Sequence, residues 1–220
     1  MPPPAQSNDV IEQVGRLRIV PIISIDGAES ATPLGDALIA GGLPIAEITL
    51  RTEAAEAAIR TLARRGDLLV GAGTVLSADM AKRAVEAGAR FLVSPGFNPK
   101  TVKWCLENGV PIVPGTATAT DLEMALDHGV TVVKWFPAEA LGGLKTLKML
   151  AGPFSMMKFV VTGGIGAEQV GQYLAFKQVL AVGGSWMVSR ELVGAGRFEE
   201  VERLTRVACG LARQGGAGAQ

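Results

Sequence analysis

TVVKWFP, residues 131–137, is apolar on both faces apart from one amine, the pattern of a strand buried in a parallel sheet. Side chains alternate across a strand, so Val132, Lys134 and Phe136 share one face and Thr131, Val133 and Trp135 the other. A lysine wedged there keeps its ammonium hydrated in one of two ways. It snorkels to solvent from the strand end, or it opens into a polar cavity. In a cavity, desolvation penalises the charged form and lowers the amine pKa, which suits a Schiff-base lysine.

Seven further apolar runs flank this one: RIVPIISI (18–25), AEITL (46–50), LLVGAGT (68–74), FLVSP (91–95), PIVPG (111–115), KFVVTGG (158–164) and VLAVGGS (179–185). A helical pattern follows each run. TPLGDALIAGG begins a helix near residue 33 that Gly41-Gly42 ends, and TEAAEAAIRTLARRG ends at Gly66. SADMAKRAVEAG has Ser77 as its N-cap. NPKTVKWCLENG, TATDLEMALDHG, GLKTLKMLAG and AEQVGQYLAF follow the next four strands, and helical sequence continues to about residue 213. Continuous apolar strands alternating with amphipathic helices predict a parallel α/β sheet. Eight such units predict a closed (β/α)8 TIM barrel. An extra N-terminal helix over 9–17 is expected to plug its bottom. No linker interrupts the chain, so residues 1–220 read as one domain, with 1–8 and 214–220 as disordered tails.

Composition narrows the classes of function. Twenty-one basic residues balance 21 acidic ones and no basic run occurs, which argues against nucleic acid or a membrane surface as partner. No apolar run reaches the length of a membrane span, and MPPPAQSND lacks the basic and apolar regions of a secretory signal, so the expected location is cytoplasmic. Cys105 and Cys209 read as unpaired thiols in a reducing compartment. The single histidine, His128, falls at a helix end, and no His/Cys cluster suggests a metal site.

In a barrel of this type, chemistry gathers at the C-terminal ends of the strands. AEITLR places Glu47, Thr49 and Arg51 on one face, and three polar groups on a buried strand are costly unless they line a cavity. Glu47 and Arg51 lie roughly 13 Å apart along an extended strand, too far to pair directly. GAGT leaves Thr74 at the rim after the third strand, and SPG and PGTAT end the next two. TGG (162–164) and GGS (183–185) are glycine-rich turns entering helices after strands seven and eight, where barrels commonly bind phosphate, and Ser185 adds a hydroxyl.

EITLRT, GAGTV, SPG, VVKWFPAE, AGPF, VTGGI and GGSW, in that order between residues 20 and 188, resemble the bacterial 2-keto-3-deoxy-6-phosphogluconate (KDPG) aldolases. Members of that family often also accept 4-hydroxy-2-oxoglutarate (KHG). The resemblance implies a class I aldolase that cleaves KDPG to pyruvate and glyceraldehyde 3-phosphate, with KHG, cleaved to pyruvate and glyoxylate, as a further substrate. It implies Lys134 as the Schiff-base nucleophile and Glu47 as the acid/base, acting through water. It implies that Arg51 and Thr74 hold the pyruvate carboxylate, and that Thr162 contacts the substrate hydroxyl region. Pro95 and Phe136 become cavity walls, and Gly163, Gly164, Gly184 and Ser185 hold phosphate. It further implies a homotrimer acting on small keto-acid and aldehyde substrates, with no metal and no cofactor. Two rivals remain open from the sequence: a sugar-phosphate isomerase or epimerase on the same barrel, and a non-catalytic trimeric ligand-binding module.

Overall fold

The computed structural model describes residues 8–216. An amphipathic helix, α1 (Asn8–Leu17), opens it, burying Val10, Ile11 and Val14 and exposing Glu12 and Arg16. Strands and helices then alternate. The strands are β1 (Ile19–Ile23), β2 (Ile45–Thr49), β3 (Leu69–Gly73), β4 (Phe91–Val93), β5 (Ile112–Val113), β6 (Gly115–Thr116), β7 (Val132–Trp135), β8 (Lys158–Thr162) and β9 (Val179–Gly184). The helices between them are α2 (Ala31–Ala40), α3 (Ala55–Ala63), α4 (Ala78–Glu86), α5 (Pro99–Glu107), α6 (Ala119–Asp127), α7 (Gly143–Ala151) and α8 (Ala167–Leu174). After β9 come a 3-10 turn over Trp186–Val188, the short α9 (Arg190–Gly194) and the long α10 (Phe198–Gly216).

Every pairing is parallel, in the order β5-β4-β3-β2-β1-β9-β8-β7-β6. The two ends of that order, β5 and β6, are halves of one stave separated by Pro114, so the ring is the expected eight-stave barrel. The stretch 111–115 is therefore not one continuous strand as expected. Proline has no N–H for the ladder, and the stave splits at it. The carbonyl of Val113 accepts from Ser94 N on one side, and that of Pro114 accepts from Lys134 N at 2.8 Å on the other. The stave thus joins β4 to β7 despite the break.

Capping residues mark where strands give way to helices. Ser77 Oγ accepts from Met80 N at 3.2 Å, as expected. Asn98 caps α5 with Pro99 as its first residue, and Thr118 and Asp121 form a reciprocal capping box on α6. His128 closes α6, its Nδ1 2.8 Å from Met124 O and its ring edge-on to Phe97, which is the helix-end role expected of it. The helices bury faces rich in alanine, such as Ala55 and Ala58 of α3 and Ala81 and Ala84 of α4, so they pack close on the barrel. Helix α1 lies against β9 and β1.

The expected loose ends fall largely outside the described residues. Within them, Asn8 already opens α1, and 214–216 continue α10 beyond the expected stop near 213. Cys105 is buried and burial pushes its thiol up to about 12, so it behaves as a core residue. No helix among the described residues is long and apolar enough to cross a membrane.

Barrel closure at the split stave leaves no room at Gly115, where a Cβ would sit 2.1 Å from the Pro95 carbonyl oxygen. That neighbour is backbone and has no rotamer to yield. Gly115→Ala is expected to cost about 1–3 kcal/mol, read as a lower urea midpoint at unchanged slope. A midpoint equal to the parent's would show that the stave relaxes freely.

Candidate active site

A cavity of about 600 Å³ opens at the C-terminal ends of the strands. Its depth is set by β7. Val133 and Trp135 are fully buried on the outward face, which turns Lys134 and then Phe136 to the cavity as the alternation predicts. The Lys134 backbone is held at both ends: its N–H donates to Pro114 O, and its carbonyl accepts from Thr116 Oγ1 at 3.1 Å. The side chain is only 7% exposed, and its Nζ lies 4.8 Å from the centroid of the Phe136 ring, within cation–π range. Lys134 is thus a cavity lysine and not one that snorkels to bulk solvent.

Strand β2 supplies the acid. Glu47 is 1% exposed, and its Oε1 has no hydrogen-bond partner in the protein. The carboxylate fits because it reaches along β3 to Gly73, two residues beyond its register partner Gly71: a Cβ on Gly73 would lie 2.2 Å from Glu47 Oε1. Burial raises the Glu47 carboxyl above its ordinary range, and the charges of Lys134 and then Arg51 pull it partly back. Glu47 lies outside the residues that line the cavity, which suits action through a water. Thr49 lines the cavity but spends its hydroxyl on Ile23 O at 2.9 Å, tying β2 to β1.

Strand β2 ends at Thr49, so Arg51 sits in the following turn, exposed and lining the cavity. Its Nε donates to Thr74 Oγ1 at 3.3 Å. Thr74 does not itself line the cavity; held in the left-handed region at φ 60°, it anchors the arginine. Pro95 is not among the lining residues either. Strand β4 stops at Val93, and the chain then turns so that the Pro95 carbonyl packs on Gly115.

The two glycine turns line the cavity on the other side of β1, after β8 and β9. After β8, Gly163 and Gly164 adopt φ of 105° and 82°, values that exclude most side chains. The segment after Lys134 fastens this turn from behind, with Ala138 N donating to Thr162 O at 2.8 Å and Glu139 N to Gly163 O at 3.0 Å. Glu139 in turn accepts from the Tyr173 hydroxyl of α8. Thr162, Gly163, Gly164, Gly184 and Ser185 all line the cavity, and the buried Thr162 Oγ1 has no partner in the protein.

Lys134, Phe136, Arg51, Thr162 and the glycine turns are therefore brought together, with Glu47 and Thr74 adjoining them. The sequence reading missed the wall between Arg51 and the glycine turns, formed by Ile22 and Ser24 of the first unit and Trp186, Arg190 and Glu191 after β9. Ser24, polar inside an apolar run, was the one available signal for that wall. Among the described residues no three His, Cys, Asp or Glu side chains gather in a cluster that would hold a metal.

Comparison with known proteins gives a consistent picture. The chain matches the KDPG and KHG aldolase family over residues 10–204. It is 46% identical over 198 residues to the 2-dehydro-3-deoxy-phosphogluconate aldolase of Treponema pallidum, covering 90% of this chain and 94% of that protein. It is 43% identical to the KHG/KDPG aldolase of Escherichia coli K12, over 86% of this chain and 90% of that one. Among solved structures it resembles the KDPG aldolase of Legionella pneumophila, captured with pyruvate as a covalent carbinolamine intermediate. That match has a TM-score of 0.87 at 36% identity and covers 90% of this chain and 97% of the other.

The buried carboxyl of Glu47 makes a signed prediction. With its folded pKa above the unfolded one, the folded protein holds this proton more tightly. The stability it contributes is fully present below the unfolded pKa and is lost as pH rises through the folded one. Gln mimics the protonated acid without titrating. Glu47→Gln should therefore gain in urea midpoint over the parent as pH is raised from about 4 to 8, starting from the carboxyl's ordinary range. A gap that shrinks with rising pH would contradict the raised pKa.

Proposed function

The chain belongs to the KDPG and KHG aldolase family, and from that premise we propose that Lys134 is the Schiff-base nucleophile of its active site. The protein is a lyase that cleaves KDPG to pyruvate and glyceraldehyde 3-phosphate, with KHG, which yields pyruvate and glyoxylate, as a second substrate. One observation carries the residue assignment: among the described residues a single buried amine, Lys134, reaches a cavity that also holds Arg51 and two glycine turns, with a buried carboxyl close enough for its titration to feel the lysine's charge.

The bond to be broken joins C3 and C4 of a 2-keto acid. Its cleavage leaves an electron pair on C3, and a protonated imine at C2 accepts that pair far better than a ketone. Lys134 adds to C2 and water leaves, giving the imine. Glu47, through a water, takes the C4 hydroxyl proton; C3–C4 breaks, the aldehyde departs and an enamine remains. The proton returns to C3, and hydrolysis of the imine releases pyruvate and the free amine. A carboxyl raised by burial suits a group that must both take and return a proton near neutral pH.

Arg51, steadied by Thr74, presents a planar fork to the pyruvate carboxylate. The unpartnered Thr162 hydroxyl serves the substrate hydroxyl region, Phe136 packs against the pyruvate half, and Gly163, Gly164, Gly184 and Ser185 hold the phosphate. We extend the reading to a cytoplasmic homotrimer that needs no metal and no cofactor, on the strength of the family resemblance.

Borohydride reduction in the presence of pyruvate, followed by peptide mapping, should place a reduced adduct on Lys134, and Lys134→Ala should lose both adduct and turnover. Full turnover in purified Lys134→Ala would sink the mechanism. Pyruvate that binds without a trappable adduct would favour the isomerase or the binding module. Glu47→Gln should still form the adduct while kcat falls about 10²–10⁴-fold, the range typical of a lost general acid/base. A kcat within a few-fold of the parent's would remove Glu47 from the proton path.

A further inference from the structure

Two arginines line the cavity, on either side of the first strand's loop. Arg51, after β2, faces the pyruvate end. Arg190 follows β9, five residues beyond Ser185 and within the part of the chain that matches the family, which runs to residue 204. Its guanidinium is bound fork to fork by Asp26, in the loop after β1, with Nε and Nη2 each donating to a carboxylate oxygen at 2.7 Å. The pair is open to solvent, its side chains 64% and 47% exposed, so a competing anion can reach the guanidinium. Asp26 does not line the cavity, whereas Arg190 does.

We propose that Arg190 is a specificity-determining residue for the phosphorylated half of the substrate, exchanging Asp26 for the phosphate when KDPG binds. This inference rests on the aldolase reading above. The glycine turns offer N–H groups and a hydroxyl but no cation, and among the described residues lining the cavity Arg190 is the only cation on the β9 side. A fork that already grips two carboxylate oxygens has the geometry to grip two phosphate oxygens. A phosphate monoester carries close to twice the charge of a carboxylate and offers three acceptor oxygens, so it competes well for a donor held in an exposed pair. Glu191, which also lines the cavity, opposes phosphate by its charge, so Arg190 is needed to offset it. KHG lacks phosphate and gains nothing from the exchange.

The opposite signs of two substitutions provide the test. Arg190→Gln should raise the ratio of the KM for KDPG to the KM for KHG about ten-fold, the worth of one charge-assisted contact. It should also raise the Ki of inorganic phosphate, as a competitive inhibitor of KHG cleavage, by a similar factor. Asp26→Asn frees the fork and should lower both the ratio and the Ki. If the pair is only a clasp between the first loop and the C-terminal segment, both substitutions will lower the melting temperature alike and leave the ratio unmoved. That result, in a parent enzyme that turns over KDPG, overturns the role given to Arg190 and leaves the aldolase reading standing. A parent that cleaves neither KDPG nor KHG would overturn the aldolase reading, and the role of Arg190 with it.

Discussion

The hydrogen bond from Lys134 N–H to the Pro114 carbonyl, 2.8 Å long, serves the barrel and the site at once. Proline breaks the fifth stave, and the ring closes only because the carbonyls around the break still serve neighbours on both sides. On the β7 side, that neighbour is the backbone of Lys134, the proposed nucleophile. Thr116 Oγ1 completes the grip from the far end by donating to the Lys134 carbonyl. A Schiff-base lysine must present its amine at a defined height above the substrate, and fixing both backbone groups of the residue does this without restricting the side chain.

The cost of the site falls on Glu47. A carboxylate buried in a barrel wall with one oxygen unpartnered works against folding, and the raised pKa expresses that cost as a preference for the proton. The same preference is useful for a group that has to accept a proton and give it back. The fold makes space for it by omission: Gly73 carries no side chain where Glu47 lies. Lys134 and Arg51 lower the penalty through their charge without a direct pairing that would occupy either one.

The glycine turns depend on the same strand as the lysine. The chain leaving β7 runs through Ala138 and Glu139, whose N–H groups bind the carbonyls of Thr162 and Gly163, and Tyr173 holds Glu139 from α8. The proposed nucleophile and the proposed phosphate turn are thus parts of one hydrogen-bonded unit. Arg190 stands apart, on an exposed pair with Asp26, where exchange of partners disturbs nothing in the core.

Periodicity alone carried most of the architecture, because buried parallel strands and Ala-rich amphipathic helices leave period-2 and period-3.6 signatures that need no neighbour to be recognised. The same alternation placed Lys134 and Phe136 on the cavity face, and their strand kept to it. Residues just past a strand end were less legible. Parity continues the Glu47–Thr49 face to Arg51, yet β2 stops at Thr49 and Arg51 lies in a turn; Thr74 and Pro95 sit in turns whose direction is set by packing against the Arg51 loop and β6. The break at Pro114 was visible as a residue, but which neighbours it served depended on pairing with β4 and β7, more than 15 residues away on either side. Arg190 and Asp26, 164 positions apart, could meet only once the ring had closed. Local pattern is decided by residues adjacent in the chain, and so the sequence determined the staves, the helices and the lysine's face. Contacts between loop ends are decided by closure of the barrel, and only the tertiary structure determined them.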